Sequence, residues 1–397
     1  MGEWPLVAIG DLVEDIIDRR GVTPTKLGSS FTAAGHRVIS AKLVKEGSID
    51  LAADEPRYVD DPTYARWMRS PLRADDVILT SEAPLGEVAY LGSDVDWVLG
   101  QRLFALRSDK RRLHGRWLYY ALQTDPARSD LHSRATGTTA QGIRQTELRR
   151  VRIPLPPLTE QRQVAGILGA LDDKIELNRR FAKRLDASAR ALFQESFISN
   201  AAAASWPVAR LADLFDVNPL RPLPRTAPAP YLDMANMPTS GPSALEVSRR
   251  SPGSGARFEN DDTLLARITP CLENGKTALV DFLEPGERGW GSTEFIVLRP
   301  RQPLPAPFAY CLARQPDFVS YAVARMNGSS GRQRVSAAAI GEFEMRRPPS
   351  ELALHFGDVV APMFSRITLA GRESRTLAEV RDLLLPRLLS GTQLPGS

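Results

Sequence analysis

A proline stop followed by a long heptad seam, present twice, constrains this chain more than any other feature. In the first copy Pro154-Leu155-Pro156-Pro157-Leu158-Thr159-Glu160-Gln161 leads into apolar or small residues at Val164, Leu168, Leu171, Ile175, Asn178, Ala182, Leu185, Ala189, Leu192 and Ser196. The steps alternate between four and three, which is a heptad seam. Prolines cannot continue a helix, so the spacing predicts a helix capped by Thr159 and running to about Phe197, with Glu160 on the positive end of its dipole. One narrow apolar stripe does not hold a helix together in water, so the seam needs a partner.

The same chain supplies that partner. Adding 192 to each seam position gives Phe356, Val360, Met363, Ile367, Ala370, Ser374, Leu377, Arg381, Leu384 and Leu388, among which Arg381 is the poor fit. Pro386, late in this second pattern, predicts a kink or an end there. The repeat extends beyond the helices. Trp4-Pro5-Leu6-Val7-Ala8-Ile9-Gly10-Asp11-Leu12 is echoed by Trp206-Pro207-Val208-Ala209-Arg210-Leu211-Ala212-Asp213-Leu214, and Gly137-Thr138-Thr139 with Gln141 and Ile143 by Gly328-Ser329-Ser330 with Gln333 and Val335. The chain reads as globule, helix, globule, helix, an internal duplication of period roughly 190 to 200 residues.

A length of 397 residues with 43% hydrophobic and 25% charged residues predicts two or three globular domains and excludes wholesale disorder. The net charge of +4, set against 51 basic and 47 acidic residues, is too small to assign a polyanionic partner by itself. Cys271 and Cys311 are too few for a disulfide framework or a zinc knuckle, which fits a reducing cytoplasm. Glu3, Asp11 and Glu14 stand where a signal peptide needs a basic start and an apolar core, and no apolar run is long enough to span a bilayer.

Residues 1–157 read as a mixed α/β globule. Val7 to Ile17 has helical spacing. Val77-Ile78-Leu79, Glu87 to Leu91 and Leu103 to Leu106 read as strands, and Trp117 to Gln123 as a short helix ended by Asp125-Pro126. The loop Ala135 to Arg144 is rich in glycine, hydroxyl and amide groups suited to phosphates and base edges, and meets a strand-like run at Leu148 to Ile153. Residues 201–349 repeat the layout. Pro219 to Pro230 reads as an extended arm with Arg221 and Arg225. Strands follow at Thr263 to Arg267, Thr277 to Val280 and Phe295 to Leu298, then a helix at Phe308 to Leu312, and a second, more basic loop at Asn327 to Arg334.

Catalytic motifs are mostly absent. Gly275-Lys276-Thr277 resembles the end of a phosphate loop, but Pro270 stands where its first glycine belongs. Gly253-Ser254-Gly255 begins like a dinucleotide fingerprint and meets Phe258 instead of a third glycine. His36, His114, His132 and His355 show no metal-ligand spacing, and Asp172-Asp173-Lys174 lies on the predicted rod.

The run Val151-Arg152-Ile153-Pro154-Leu155-Pro156-Pro157-Leu158-Thr159-Glu160-Gln161, with Ala165, Leu171-Asp172 and Ile175, resembles the central conserved region of type I restriction-modification specificity subunits. Leu384-Leu385-Pro386-Arg387-Leu388-Leu389-Ser390-Gly391 resembles their distal one. The second copy departs from the first, reading Arg347-Pro348-Pro349-Ser350-Glu351-Leu352 without the Thr-Glu-Gln step.

The resemblance implies an α/β (α+β) fold with two target recognition domains, 1–157 and 201–349, separated by two long antiparallel coiled-coil helices, 158–200 and 350–391, in a pseudo-twofold repeat. It further implies a non-catalytic chain without cofactor or metal that reads a bipartite site in double-stranded DNA. Two methyltransferase subunits, and in larger assemblies endonuclease subunits, would carry the chemistry. The DNA-contacting candidates are Arg37, Lys42, Gln141 and Arg144 in the first half and Arg267, Lys276, Arg332, Gln333 and Arg334 in the second. The rival class is a coiled-coil protein-interaction scaffold without DNA specificity.

Overall fold

Strands that read as unbroken apolar runs must be covered on both faces, and the central strands of this chain are. The structure is a computed structural model that describes residues 4–51, 53–137, 141–224, 226–329 and 331–390. Glu3, Thr138, Thr139, Ala140, Arg225, Ser330 and Gly391 therefore lie outside the described residues. The chain divides into two compact units, Met1–Asp173 with Leu377–Ser397, and Lys174–Thr376.

In the first unit a four-stranded antiparallel sheet runs in the order Val13–Asp18, Leu103–Ser108, Val77–Ser81, Leu85–Tyr90. Because alternate side chains leave opposite faces, the sheet serves two cores. Val77, Leu79, Phe104 and Leu106 pack with Trp117, Tyr120 and Leu131 of the helices Gly115–Ala121 and Asp125–Ser133. Ile78, Leu103 and Ala105 pack with Val38, Ile39 and Trp67 on the other side, where a small sheet orders Tyr58–Val59, His36–Ile39 and Val98–Leu99. Leu6–Ala8 pairs with Arg152–Pro154, so the first echo motif closes its unit by meeting the strand that leads into the long helix.

The second unit has the corresponding sheet in the order Phe215–Val217, Phe295–Pro300, Thr263–Ala266, Thr277–Leu279. Leu265, Ile296 and Leu298 face Phe308, Phe318 and the long helices, whereas Leu264, Val297 and Phe295 face Leu232 and Phe258 of a second small sheet. Val208–Arg210 pairs with Glu344–Arg346, the counterpart of the closing pair in the first unit.

The two long helices are Leu158–Phe193, continued by a π-turn at Gln194–Ile198, and Ser350–Leu389. Every expected seam position is buried or half-buried. Within the second unit the helices run antiparallel: Asn178 Nδ2 donates to Glu373 (2.8 Å), while further along Phe193 meets Phe356 at 5.8 Å between ring centres. Within the first unit Arg381, the poor seam residue, donates to Asp172 (2.9 Å), which also accepts from the Tyr120 hydroxyl (2.6 Å). A cation in a seam is tolerable when a carboxylate meets it there. In the second unit Asp186 accepts from Tyr310 (2.8 Å) and pairs with Arg190 (3.1 Å).

Several expectations are corrected. Val7 to Ile17 is not a helix but the strands Leu6–Ala8 and Val13–Asp18 around a 3-10 turn, because Leu103–Ser108 and Arg152–Pro154 offer both strands hydrogen-bond partners. Asp125-Pro126 opens the helix Asp125–Ser133 rather than merely ending its predecessor, as proline can in a first turn. Leu148 to Ile153 holds the end of the helix Gln145–Leu148 and only the start of a strand, Arg152–Pro154. The first long helix starts at Leu158, one residue before the expected cap, with the Gln161 N–H on the Pro157 carbonyl (3.1 Å). The second passes through Pro386 and stops one turn later at Leu389. The proline-rich arm is anchored by Arg221, whose buried guanidinium pairs with Asp262 (2.6 Å) and Glu259 (3.2 Å).

Candidate nucleic-acid interface

Each glycine-containing loop is fastened to the end of a central strand. In the first unit Thr136 and Gly142 exchange backbone hydrogen bonds (2.8 and 2.9 Å), and the Ile143 N–H donates to the Ser81 carbonyl (3.0 Å) at the end of Val77–Ser81. In the second, Asn327 and Arg334 make the same exchange (3.0 and 2.9 Å), and the Val335 N–H donates to the Arg267 carbonyl (3.0 Å) just beyond Thr263–Ala266. Gly137 (φ +111°) and Gly328 (φ +134°) both take a conformation that side chains resist. A Cβ on Gly328 would also sit 3.0 Å from the Arg332 carbonyl oxygen. The repeated Gly therefore fixes the loop turn, a role that the backbone alone explains.

The two loops carry different charge. In the first unit Gln141 and Arg144 are exposed, and Arg144, at the N-terminus of Gln145–Leu148, lines an open depression with Ser133, Arg134, Thr136 and Glu147. Arg134 is neutralised by Asp130 (2.9 Å) and Glu147 (3.7 Å), and Arg102 by Glu82 (3.1 Å). In the second unit Arg332 and Gln333 are exposed. Arg334 forks onto Glu294 at 2.8 and 2.9 Å, and Arg267 stands 4.0 Å from the same carboxylate. The Glu294 carboxylate thus holds two arginines at the loop root, and its bidentate bond raises the Arg334 guanidinium above its ordinary value.

Not every candidate gathers at a loop. Arg37 is 7% exposed on the strand His36–Ile39, donates to the carbonyls of Leu51 (3.2 Å) and Asp54 (3.1 Å), and lies 5.6 Å from the centre of the Tyr58 ring. Lys42 is exposed and 3.7 Å from the Asp54 carboxylate, so these two candidates share one neighbourhood. The Lys276 ammonium donates to the Met234 carbonyl (2.5 Å).

Sequence reasoning missed Arg325, exposed at the end of Pro316–Ala324, with its guanidinium 3.5 Å from the Tyr321 ring centre. Its counterpart Arg134 ends the helix Asp125–Ser133, a signal the duplication itself carried. Also missed was the work of Gln161 in the first motif. It is fully buried, accepts from the His114 N–H (2.9 Å), and donates to the carbonyls of Arg112 (3.0 Å) and Pro156 (2.9 Å), fastening helix to globule. Among the described residues no group of three or more His, Cys, Asp or Glu is placed to hold a metal, and no helix is long and apolar enough to cross a membrane.

A mixed α/β chain with long helices and strand-anchored polar loops is a fold class, and comparison with known proteins shows what it is similar to. Residues 64–186 match the family described as Type I restriction modification DNA specificity domain. The putative type I restriction enzyme MjaX specificity subunit of Methanocaldococcus jannaschii is 26% identical over 200 residues, 49% of this chain and 45% of that protein. The type I restriction enzyme MjaIX specificity subunit of the same organism is 22% identical over 93% of this chain and 85% of its own length. In fold the chain is similar to the crystal structure of the type I restriction-modification system S subunit from M. genitalium, with a TM-score of 0.62 at 17% identity over 97% of this chain and 96% of that one. The chain is thus similar to specificity subunits of type I restriction-modification systems, in sequence over residues 64–186 to the family and in fold over most of its length.

Proposed function

We propose that this chain is the DNA-reading subunit of a type I restriction-modification complex, with residues 1–157 and 201–349 as two target recognition domains reading the halves of a bipartite duplex site. The observation that carries this reading is the pair of polar loops fastened to equivalent strands in the two units. Exposed Lys42, Gln141, Arg144, Arg332 and Gln333 are the direct contacts with phosphates and base edges. Arg37, Arg267, Lys276 and Arg334, held by internal partners, shape the surfaces around them.

The helices, over 158–200 and 350–391, act as a ruler in a pseudo-twofold arrangement. A helix of 40 residues is about 60 Å long at 1.5 Å per residue. That suits two readers on separate major-groove segments, whose turns repeat about every 34 Å. Linking two weak readers makes the second contact intramolecular, so affinity depends on the spacer. Exposed Leu177, Phe181 and Leu369 on the helices suit docking of two methyltransferase subunits, and of endonuclease subunits beyond them, which would carry the chemistry. This chain itself is non-catalytic.

The test is footprinting of DNA by the full chain together with its methyltransferase partner. Protection of one split sequence is expected. Retention of the partner without sequence-dependent protection would favour the interaction-scaffold reading instead.

A further inference from the structure

We infer that the two recognition loops are chemically unequal: the loop of the second unit is a phosphate clamp that supplies most of the salt-sensitive attraction, and the loop of the first is a less charged reader. The inference rests on the DNA-reading function proposed above and deepens it. Its basis is a comparison of equivalent positions in the two units.

In the first unit, the arginine that ends the second globule helix, Arg134, is enclosed by two carboxylates, Asp130 one turn earlier and Glu147 on the following short helix. In the second unit the equivalent arginine is Arg325, and the two carboxylates are replaced. Tyr321 stands where Asp130 stood and Ala339 where Glu147 stood, and the Tyr321 hydroxyl donates to the Ala339 carbonyl (3.0 Å). Arg325 therefore lies against an aromatic face at 3.5 Å, a contact that orients a guanidinium without neutralising it. No ion pair forms at Arg325 or Arg332 among the described residues.

The rest of each loop root follows the same division. Arg102, Arg134 and Arg150 of the first unit pair with Glu82, Asp130 and Glu147, which leaves Arg144 as the one arginine of that loop root without an ion pair among the described residues. Among the described residues Arg267, Arg325, Arg332 and Arg334 of the second unit have Glu294 as their one ion-pair partner, leaving three positive charges around one loop. The residues outside the described set in these loops, Thr138, Thr139, Ala140 and Ser330, are uncharged and do not alter the balance. Arg325 and Arg332, both without an ion pair and the first oriented by Tyr321, fit the phosphates of a nucleic-acid backbone. Phosphate neutralisation releases counterions, so this asymmetry is readable as salt dependence.

The experiment measures retention of a mixed-sequence DNA duplex by the full chain over a series of salt concentrations. It compares the unsubstituted chain, the double variant Arg325→Ala/Arg332→Ala, and Arg144→Ala. All three substituted residues are exposed, and circular dichroism verifies the fold. Each phosphate contact removed lowers the slope of log affinity against log salt by about 1. The double variant is expected to lose about 2 in slope, and Arg144→Ala, which removes the one unpaired arginine of the first loop root, at most about 1. An Arg144→Ala loss as large as that of the double variant, or no change in the double variant, overturns the inference while leaving DNA reading intact. A chain that retains no duplex at any salt concentration overturns both.

Discussion

Removing one heptad from each long helix tests the ruler directly, and the antiparallel register says which residues to take. Lys174 and Asn178 both bond to Glu373 (3.3 and 2.8 Å), so deleting residues 174–180 and 373–379 removes these partners together and leaves no stranded charge from either pair. The deletion spares Asp172, which holds Tyr120 and Arg381 in the first unit, and Asp186, which holds Tyr310 in the second. Seven residues preserve the heptad phase, so seam residues on either side stay in the seam. The loss in length is about 10 Å, the rise of seven helical residues, which equals roughly three base pairs of duplex. Single-molecule methylation mapping in a host carrying the variant and a methyltransferase subunit is the assay. Unchanged half-sites separated by a spacer shorter by about three base pairs are expected. Methylation of the original site with its original spacer would refute the ruler.

Two further outcomes follow from packing and burial. Phe193 is fully buried between Phe197, Phe308 and Phe356, at ring distances of 5.2, 4.9 and 5.8 Å, so Phe193→Ala should cost about 3–5 kcal/mol in urea unfolding; a loss below about 1 kcal/mol would mean that this cluster does not weld the helices to the second globule. Asp281 accepts the Thr368 hydroxyl, and burial raises its carboxyl above the ordinary value despite the opposing effects of Thr368, Arg375 and Arg372. A raised folded-state value means that its contribution is full below the unfolded value and is lost as pH rises through the folded one. Asp281→Asn should therefore gain on the natural chain as pH rises from acid to neutral, read as urea midpoints; a difference independent of pH would contradict the assignment.

The long helices and the apolar central strands were legible because each is written in local periodicity. Two of the misread stretches are instructive. Val7 to Ile17 carries helical spacing, yet its residues pair with Leu103–Ser108 and Arg152–Pro154, and partners so far along the chain leave no trace in a short window. Arg381 breaks the apolar seam as a sequence, yet its guanidinium donates to Asp172 (2.9 Å), a partner more than two hundred residues away in the chain.

For the candidate interface, the sequence by itself located both loops, since glycine at equal places in a repeated unit marks a turn that recurs. What only the tertiary structure decided was which of their charges remain available. Arg334 and Arg267 share Glu294, Arg134 is enclosed by Asp130 and Glu147, and Arg37 is buried against carbonyls, whereas Arg325 keeps its charge on the face of Tyr321. The physical reason is that a side chain's charge is a property of the residue, but its neutralisation depends on distances set by strands and helices meeting from elsewhere in the chain.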